Sequence, residues 1–368
     1  MSLKNLNLII KIGTAALGAA NGMPDTERLG RIVAEIALLK KQGHHIILVS
    51  SGAVGTGRAM VKNHKGSIQH CNPVIERQIL ASLGQAKLMA FYQELLTPHE
   101  LMASQILLTK QDFRTRGHYK YIVNLFASLQ RQPNILPIVN ENDSVTIDEL
   151  MFTDNDELAG LLATIVNADR LIILSHIAGV FDRPPDEKDA HIIPFIDWKK
   201  NKGLPESTQG KSQTGRGGMK SKLGITRKMA ALGIRTHIAA ASEPQIITRI
   251  LSNENIGTTI SPLPGKRNAV KRWLASDMNQ APASVVANSC LAAMIRQTGQ
   301  VMSILPVGLI KISGQFTKGD LVKIVDEEGL TLALGIARYD TATLKQALGK
   351  KQQPVFIHYD QLHSVSHV

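Results

Sequence analysis

Through the first 240 residues, short apolar runs stop abruptly at glycine or at small polar and acidic residues. Residues 8–12 run into Gly13-Thr14, and residues 45–49 into Ser50-Ser51-Gly52. Residues 135–139 run into Asn140-Glu141-Asn142-Asp143, and residues 170–174 into Ser175-His176. Between the first two runs, Leu29, Ile32, Val33, Ile36 and Leu39 keep helical spacing, with Asp25 or Thr26 as N-cap and Gly43 as the stop. Strand, helix, strand within 50 residues is a βαβ pattern, and such crossovers imply a parallel sheet. Helical segments over 74–96 and 117–130 and strands over 102–108 and 235–240 continue it. The expected fold is α/β, an open and mainly parallel sheet sandwiched by helices. In such a sheet the strand ends share one edge, and ligands bind there.

A chain of 368 residues exceeds the ~250–300 at which single cores stop growing, so two domains are expected. The texture changes at Ser261-Pro262-Leu263-Pro264-Gly265-Lys266-Arg267; beyond about residue 281, short β-like runs at 308–312, 319–325, 329–335 and 355–358 alternate with glycine turns. The expected division is 1–260, a linker over 261–280, and a smaller β-rich domain over 281–368. Residues 184–213, rich in Lys, Asp, Pro and Gly, read as an excursion from the first domain. With 43% hydrophobic and 20% charged residues the composition is that of a globular protein. No apolar run reaches the ~20 residues of a spanning helix, and the N-terminus lacks a signal-peptide cleavage pattern. Cys71 and Cys290 form neither a metal spacing nor a disulfide framework, which fits a cytoplasmic location. The net charge of +12 is spread over both parts; residues 262–368 carry 12 Lys or Arg and 7 Asp or Glu, a net +5. Such a charge suits nucleic acid or small anions alike.

Lys11 interrupts an apolar strand. A buried unpaired ammonium is costly, so Lys11 either pairs with an acid or phosphate at the strand end or snorkels from an edge strand. Asp154-Asn155-Asp156 stands ahead of the stripe Leu158, Leu161, Leu162 and Ile165. One such residue caps a helix; two polar clusters so close together point to a substrate site. Ser50 to Gly57 suits an anion on backbone amides, or an ordinary turn. Between Gly215 and Lys222, glycines allow close approach, while Lys220 and Lys222 oppose the helix dipole unless an anion arrives; a mobile surface loop with solvated lysines is the other reading.

Taken together, Lys11-Ile12-Gly13-Thr14, Ser51-Gly52-Ala53, Asn140-Glu141-Asn142-Asp143, Asp154-Asn155-Asp156 and Gly217-Gly218-Met219-x-x-Lys222 resemble, in order and spacing, the glutamate 5-kinases of the amino-acid kinase family. Lys271-Arg272-Trp273 is similar to that family's inter-domain segment, and Leu305-Pro306-x-Gly308 with Gly314-x-Phe316-x-x-Gly319-Asp320 to its C-terminal PUA domain. The resemblance implies transfer of the γ-phosphoryl of ATP to the side-chain carboxylate of L-glutamate, the first step of proline biosynthesis, with Mg2+ carried on the nucleotide phosphates and no protein metal ligands. It implies catalytic roles for Lys11, Lys222 and Asp156, the last holding the lysines. It places Ser51, Gly52, Asn140, Asp143 and Asn155 around glutamate, with Asp143 toward its ammonium. Lys11, Gly13, Ser175, His176, Arg216, Gly217, Gly218, Met219, Lys220, Ser221 and Lys222 would surround the nucleotide. A homo-oligomer with proline as feedback inhibitor is implied as well. Four positions depart from the family pattern: Ser175-His176 for Thr-Asp, Arg216 for Thr, and Ala15 for Ser. Ala287-Asn288-Ser289-Cys290 likewise stands where the PUA domain has Asp-Glu-Gly-Ala.

Three alternatives compete: a kinase-fold regulator binding glutamate or proline without turnover, a sister kinase for another acid, and RNA binding through the C-terminal domain. The last is disfavoured by the modest charge there and by aromatics (Trp273, Phe316, Tyr339, Phe356, Tyr359) that form no stacking platform.

Overall fold

A computed structural model describes residues 5–19, 21–68, 72–113, 116–145, 152, 154–199, 218–263, 283–297 and 302–364. The chain divides into two compact units, Met1–Lys110 with Asn124–Lys266, and Gln111–Val123 with Arg267–Val368.

From the N-terminus the chain runs β1 (Asn7–Ile12), α1 (Thr14–Leu17), α2 (Thr26–Lys41), β2 (His45–Ser50), α3 (Ala53–Asn63), α4 (Pro73–Leu96), β3 (Met102–Leu108), α5 (Arg116–Gln130, of which residues 116–123 fall in the second unit), β4 (Ile135–Glu141), α6 (Asn155–Ile165), β5 (Arg170–Ser175), β6 (Phe195–Ile196), α7 (Met219–Ala231), β7 (Arg235–Ala240), α8 (Ile246–Leu251) and β8 (Thr258–Ile260). The sheet order is β3-β4-β2-β1-β5-β7-β8-β6. Pairing is parallel from β3 through β7, and only β7 with β8 is antiparallel. The chain first builds the β2 side of β1 and later returns to its other flank as β5. That change of direction makes a crevice at the carboxyl ends of the central strands.

Alternation along β1 decides which side chains enter which layer, since successive residues face opposite sides of a sheet. Leu8, Ile10 and Ile12 join Leu29, Ile36, Leu88, Tyr92, Ile247 and Ile250 in one core, formed with α2, α4 and α8. Lys11 has the opposite parity and so shares its face with Ile9, on the side of the sheet covered by α6 and α7. Close packing is obligatory between α3 and α4: a Cβ on Gly57 would lie 1.9 Å from the Leu80 carbonyl, and one on Gly84 1.8 Å from the Ala53 carbonyl. The glycines after β2 therefore do a different job from the one expected. Only Ser51 and Gly52 form the loop. From Ala53 the chain is helical, so Gly55 and Gly57 belong to α3, and Gly57 serves helix–helix approach.

The second unit holds a five-stranded sheet, order β10-β9-β11-β12-β13, from β9 (Ala283–Ala287), β10 (Leu309–Ser313), β11 (Leu321–Val325), β12 (Thr331–Ile336) and β13 (Leu362–Ser364). The run over 355–358 is not a strand: Ile357 makes an isolated bridge to Ile304, and the edge strand lies later in the chain. Helices Ser289–Arg296 and Thr341–Ala347 were not legible as β-like runs. Phe356 packs against both Phe316 and Tyr339 at the core of this unit, so these aromatics are committed to packing. Residues 264–282, including Lys271-Arg272-Trp273, and Cys71 lie outside the described residues.

Candidate active site

Parallel register aligns the strand ends. Ile12 is opposite both Ser50 and Leu174, and Val49 is opposite Val139. Gly13, Ser51, Asn140 and Ser175 therefore line one edge. The Gly13 N–H donates to the Leu174 carbonyl (3.0 Å) and Ser51 N–H to the Ile12 carbonyl (3.3 Å), tying the turns to the central strands. Gly52 caps α3 with φ of 102°, a conformation that favours glycine.

Asp154 is the N-cap of α6, its Oδ1 accepting from the amides of Asp156 and Glu157. One cap completes the helix start, and the next two residues are free for other work. Asp156 is fully buried (0% exposed), and its carboxylate is held from two sides. Lys11 Nζ lies 2.6 Å from Oδ1, and Lys222 Nζ lies 2.9 Å from Oδ2. β1 supplies one lysine and α7 the other, across a tight α6–α7 contact in which a Cβ on Gly160 would reach Ile225 at 3.2 Å. Both lysines are buried, which settles Lys11 in favour of pairing over snorkelling. Burial alone would raise the Asp156 pKa, but Lys11 and Lys222 outweigh it and hold the carboxyl below the usual range. Asp154 goes the other way: burial first, then the neighbouring Asp156 charge, push its pKa up. Its buried Oδ2 lacks a well-formed hydrogen bond, and the Ser221 hydroxyl offsets only part of that rise. Two ammonium groups against one buried carboxylate leave an excess positive charge at the crevice.

On the β4 side a chain of amides leads away from this cluster. Asn155 Nδ2 donates to Ser51 Oγ (2.8 Å) and to Asn140 Oδ1 (2.8 Å), and Asn140 Nδ2 donates to Gln85 Oε1 (2.9 Å). The Asn140 oxygen also accepts from the Glu141 amide (2.9 Å). The donors and acceptors orient every amide in the chain, and Asn155 Oδ1 is left buried without a donor. Gln85, with Gln105, Glu141, Asn142, Asp143 and Ser144, lines a cleft of about 260 Å³. Asp143 is in this cleft and is ion-paired there with Arg77 (2.6 Å). Sequence reasoning missed Arg77 and Gln85. Gln85 left a trace, a lone amide among the apolar residues of α4, whereas Arg77 looked like any charge in a helix's first turns.

On the β5 side of the cluster, α7 has Gly218 as its N-cap with no side-chain cap, so its first amides are open to an anion. Lys222 turns inward to Asp156, while Lys220 is exposed; Met219 and Ser221 are half-buried. Ser175 is buried at the end of β5, and the exposed His176 follows it. Burial first, and then the Lys222 charge, lower the His176 pKa, which keeps its ring neutral at pH 7. Arg216 and Gly217 lie outside the described residues. Among the described residues no trio of His, Cys, Asp or Glu is disposed to hold a metal, and no helix is long and apolar enough to cross a membrane.

The architecture has counterparts among known proteins. Carbamate kinase from Giardia lamblia, solved with AMP-PNP bound, superposes with a TM-score of 0.51 at 20% identity, over 72% of this chain and all of that one, a likeness of fold. The amino acid kinase family matches residues 7–240, and the PUA domain matches residues 283–355. Glutamate 5-kinase of Bacteroides thetaiotaomicron is 37% identical over 359 residues, 97% of this chain and 98% of that protein. The glutamate 5-kinase of Chlorobaculum tepidum is 37% identical over 358 residues, 97% of each chain. With the kinase fold, the two matched domains and full-length identity of this order, the chain belongs to the glutamate 5-kinases of the amino acid kinase family.

Proposed function

We infer that this protein transfers the γ-phosphoryl group of ATP to the side-chain carboxylate of L-glutamate, giving glutamyl 5-phosphate, the first step of proline biosynthesis. The observation that carries the reading is the buried Lys11–Asp156–Lys222 clamp at the carboxyl edge of the sheet, beside the amide-lined cleft. Phosphoryl transfer needs positioning and charge stabilisation more than covalent chemistry. Glutamate's carboxylate, with an ordinary pKa of about 4.3, is already an ionised nucleophile at neutral pH, so no general base is required. Asp156, fully committed to two lysines, acts as their holder.

In the reaction, a carboxylate oxygen forms a bond to the γ-phosphorus as the bond to the β-phosphate oxygen breaks, and ADP leaves. Lys11 and Lys222 meet the charge on the transferring group from two sides. Gly13, Ser175, His176 and the α7 start, Gly218 to Lys222, hold the nucleotide, together with Arg216 and Gly217. Ser51, Gly52, Asn140, Asn155 and Asp143 hold glutamate; the unpartnered Asn155 Oδ1 is an acceptor suited to a substrate N–H. Magnesium, when bound on the nucleotide phosphates, offsets their charge. The buried Asp154 carboxylate is a hard oxygen group that would fit a water of that cation, while the phosphates hold the cation itself. A cytoplasmic homo-oligomer, with proline as feedback inhibitor, completes the reading. So does a kinase domain over 1–260 joined by residues 261–280 to a PUA-like domain over 281–368.

The test is direct. Protein, Mg-ATP, glutamate and hydroxylamine are incubated, and γ-glutamyl hydroxamate is measured. Hydroxamate that depends on both ATP and glutamate is expected; glutamate binding without hydroxamate would overturn the reading in favour of a regulator.

A further inference from the structure

Asp143 is not alone at the mouth of the cleft. Arg77, from the second turn of α4, reaches across to it with Nη2 2.6 Å from Oδ1, although 66 residues separate the two in sequence. Both side chains are largely shielded, at 26% and 11% exposed. The pair is incompletely used. Among the described residues, only Nη2 of the guanidinium and Oδ1 of the carboxylate engage each other, and Nε of Arg77 is buried with no acceptor. A guanidinium offers five N–H donors in a planar fork, and a buried unpaired donor carries a desolvation cost until an acceptor arrives. One nitrogen of that edge is left over, next to the polar cleft that Asp143 lines.

We propose that Arg77 and Asp143 together form the receptor for the zwitterionic head of the substrate, Arg77 taking the α-carboxylate while Asp143 takes the α-ammonium. The inference rests on glutamate being the substrate and deepens that reading by assigning the specificity residue for its α-carboxylate. The chemistry is complementary. An amino acid presents a carboxylate and an ammonium on one carbon, and the cleft presents a cation and an anion already in contact. The incoming carboxylate satisfies the orphaned Nε without breaking the Arg77–Asp143 bond, and the ammonium neutralises Asp143 from its other side. Arg suits this task through its fork geometry, which a lysine lacks. With the head fixed here, the amide chain from Gln85 through Asn140 to Asn155 leads toward the lysine clamp, where the side-chain carboxylate must react.

The test crosses protein changes with substrate changes. Steady-state ADP release is measured with glutamate, with glutamate α-amide (ammonium kept, α-carboxylate charge removed) and with glutarate (carboxylates kept, ammonium removed). Arg77→Met is expected to lower kcat/KM for glutamate about 10- to 100-fold, the span of a charge-assisted hydrogen bond, and that for the α-amide by less than about threefold. Arg77→Lys should fall between, retaining charge without the fork. Asp143→Asn should instead erase the preference for glutamate over glutarate while keeping the preference over the α-amide. Equal losses on glutamate and α-amide in both Arg77 variants would overturn the proposal, leaving Arg77 as a mere support for Asp143. Should the wild-type protein release no glutamate-dependent ADP, the phosphoryl-transfer reading falls. The same ratios taken as calorimetric binding constants for glutamate and its α-amide then decide the role of Arg77.

Discussion

Asp156→Asn removes one charge and almost no volume, so it isolates what the carboxylate does. In the native site the two lysine ammoniums sit on opposite oxygens of one buried group, 2.6 Å and 2.9 Å away. Without the negative charge they face each other across no more than about 8 Å. At an effective dielectric constant of about 20 their repulsion is then at least ~2 kcal/mol. That energy displaces one ammonium or the other from its place, and if it is lost from transition-state stabilisation, turnover falls by at least about 30-fold. Breaking a buried ion pair by deleting one partner also costs roughly 3–5 kcal/mol of stability, so the ligand-free variant should unfold at lower urea. ATP phosphates supply a replacement counter-charge, so ATP should stabilise the variant more than it stabilises the wild type. The glutamate KM should change by less than about threefold, because the clamp does not hold the amino-acid head. The assay is ADP release against glutamate and ATP concentration, with urea unfolding in parallel. A kcat within about threefold of wild type, or a loss expressed wholly in the glutamate KM, would refute the reasoning.

Gln85→Leu should raise the glutamate KM with little change in the ATP KM, because Asn140 loses the acceptor that orients it and Asn155 turns with it; the increase should vanish in an Asn155→Ala background, which a simple packing defect would not do. Gly84→Ala places a methyl 1.8 Å from the Ala53 carbonyl, so α3 and α4 must separate. A loss of about 1–3 kcal/mol or more in urea unfolding is expected, whereas Ala at the open helical position Gly224 should be neutral or stabilising by up to about 1 kcal/mol. His237, buried on β7, has its pKa depressed to about 3, by burial first and then by Arg170 and Arg235. Its folded-state pKa lies below the unfolded value, so between about pH 6.5 and 3 the unfolded chain binds the extra proton and stability falls as pH falls, by ~1.4 kcal/mol per unit. His237→Leu should flatten that slope in denaturant titrations at pH 7 and pH 5; an unchanged slope would count against it.

What could be read in advance divides by the range of the interaction. The strand ends were legible because a parallel strand is an apolar run that must stop where the ligand edge begins. Lys11 was legible because an ammonium inside such a run demands a partner. The glycines after β2 misled for a physical reason. Glycine permits close approach of any backbone, and nothing local says whether the visitor is a phosphate or a second helix. Gly57 and Gly84 lie 27 positions apart in the sequence, and each explains the other only once α3 and α4 are in contact. Arg77 is the same case in electrostatic form. In a helix's second turn it carries no signal, and only the return of the chain 66 residues later, with Asp143, makes it part of a site. Polar burial separates the two kinds of residue. Asp156 is buried against two lysine charges, one facing each oxygen, so its charge is already met in the ligand-free protein. Arg77 and Asn155 are half-buried, each with one shielded atom unspent, Nε and Oδ1. A donor left over beside Asp143 and an acceptor left over in the amide chain that runs from Gln85 are what a folded chain keeps when its last hydrogen-bond partners arrive with the substrate. The amino-acid head therefore has to be sought on α4 and β4, and the reacting carboxylate between Asn155 and the lysines.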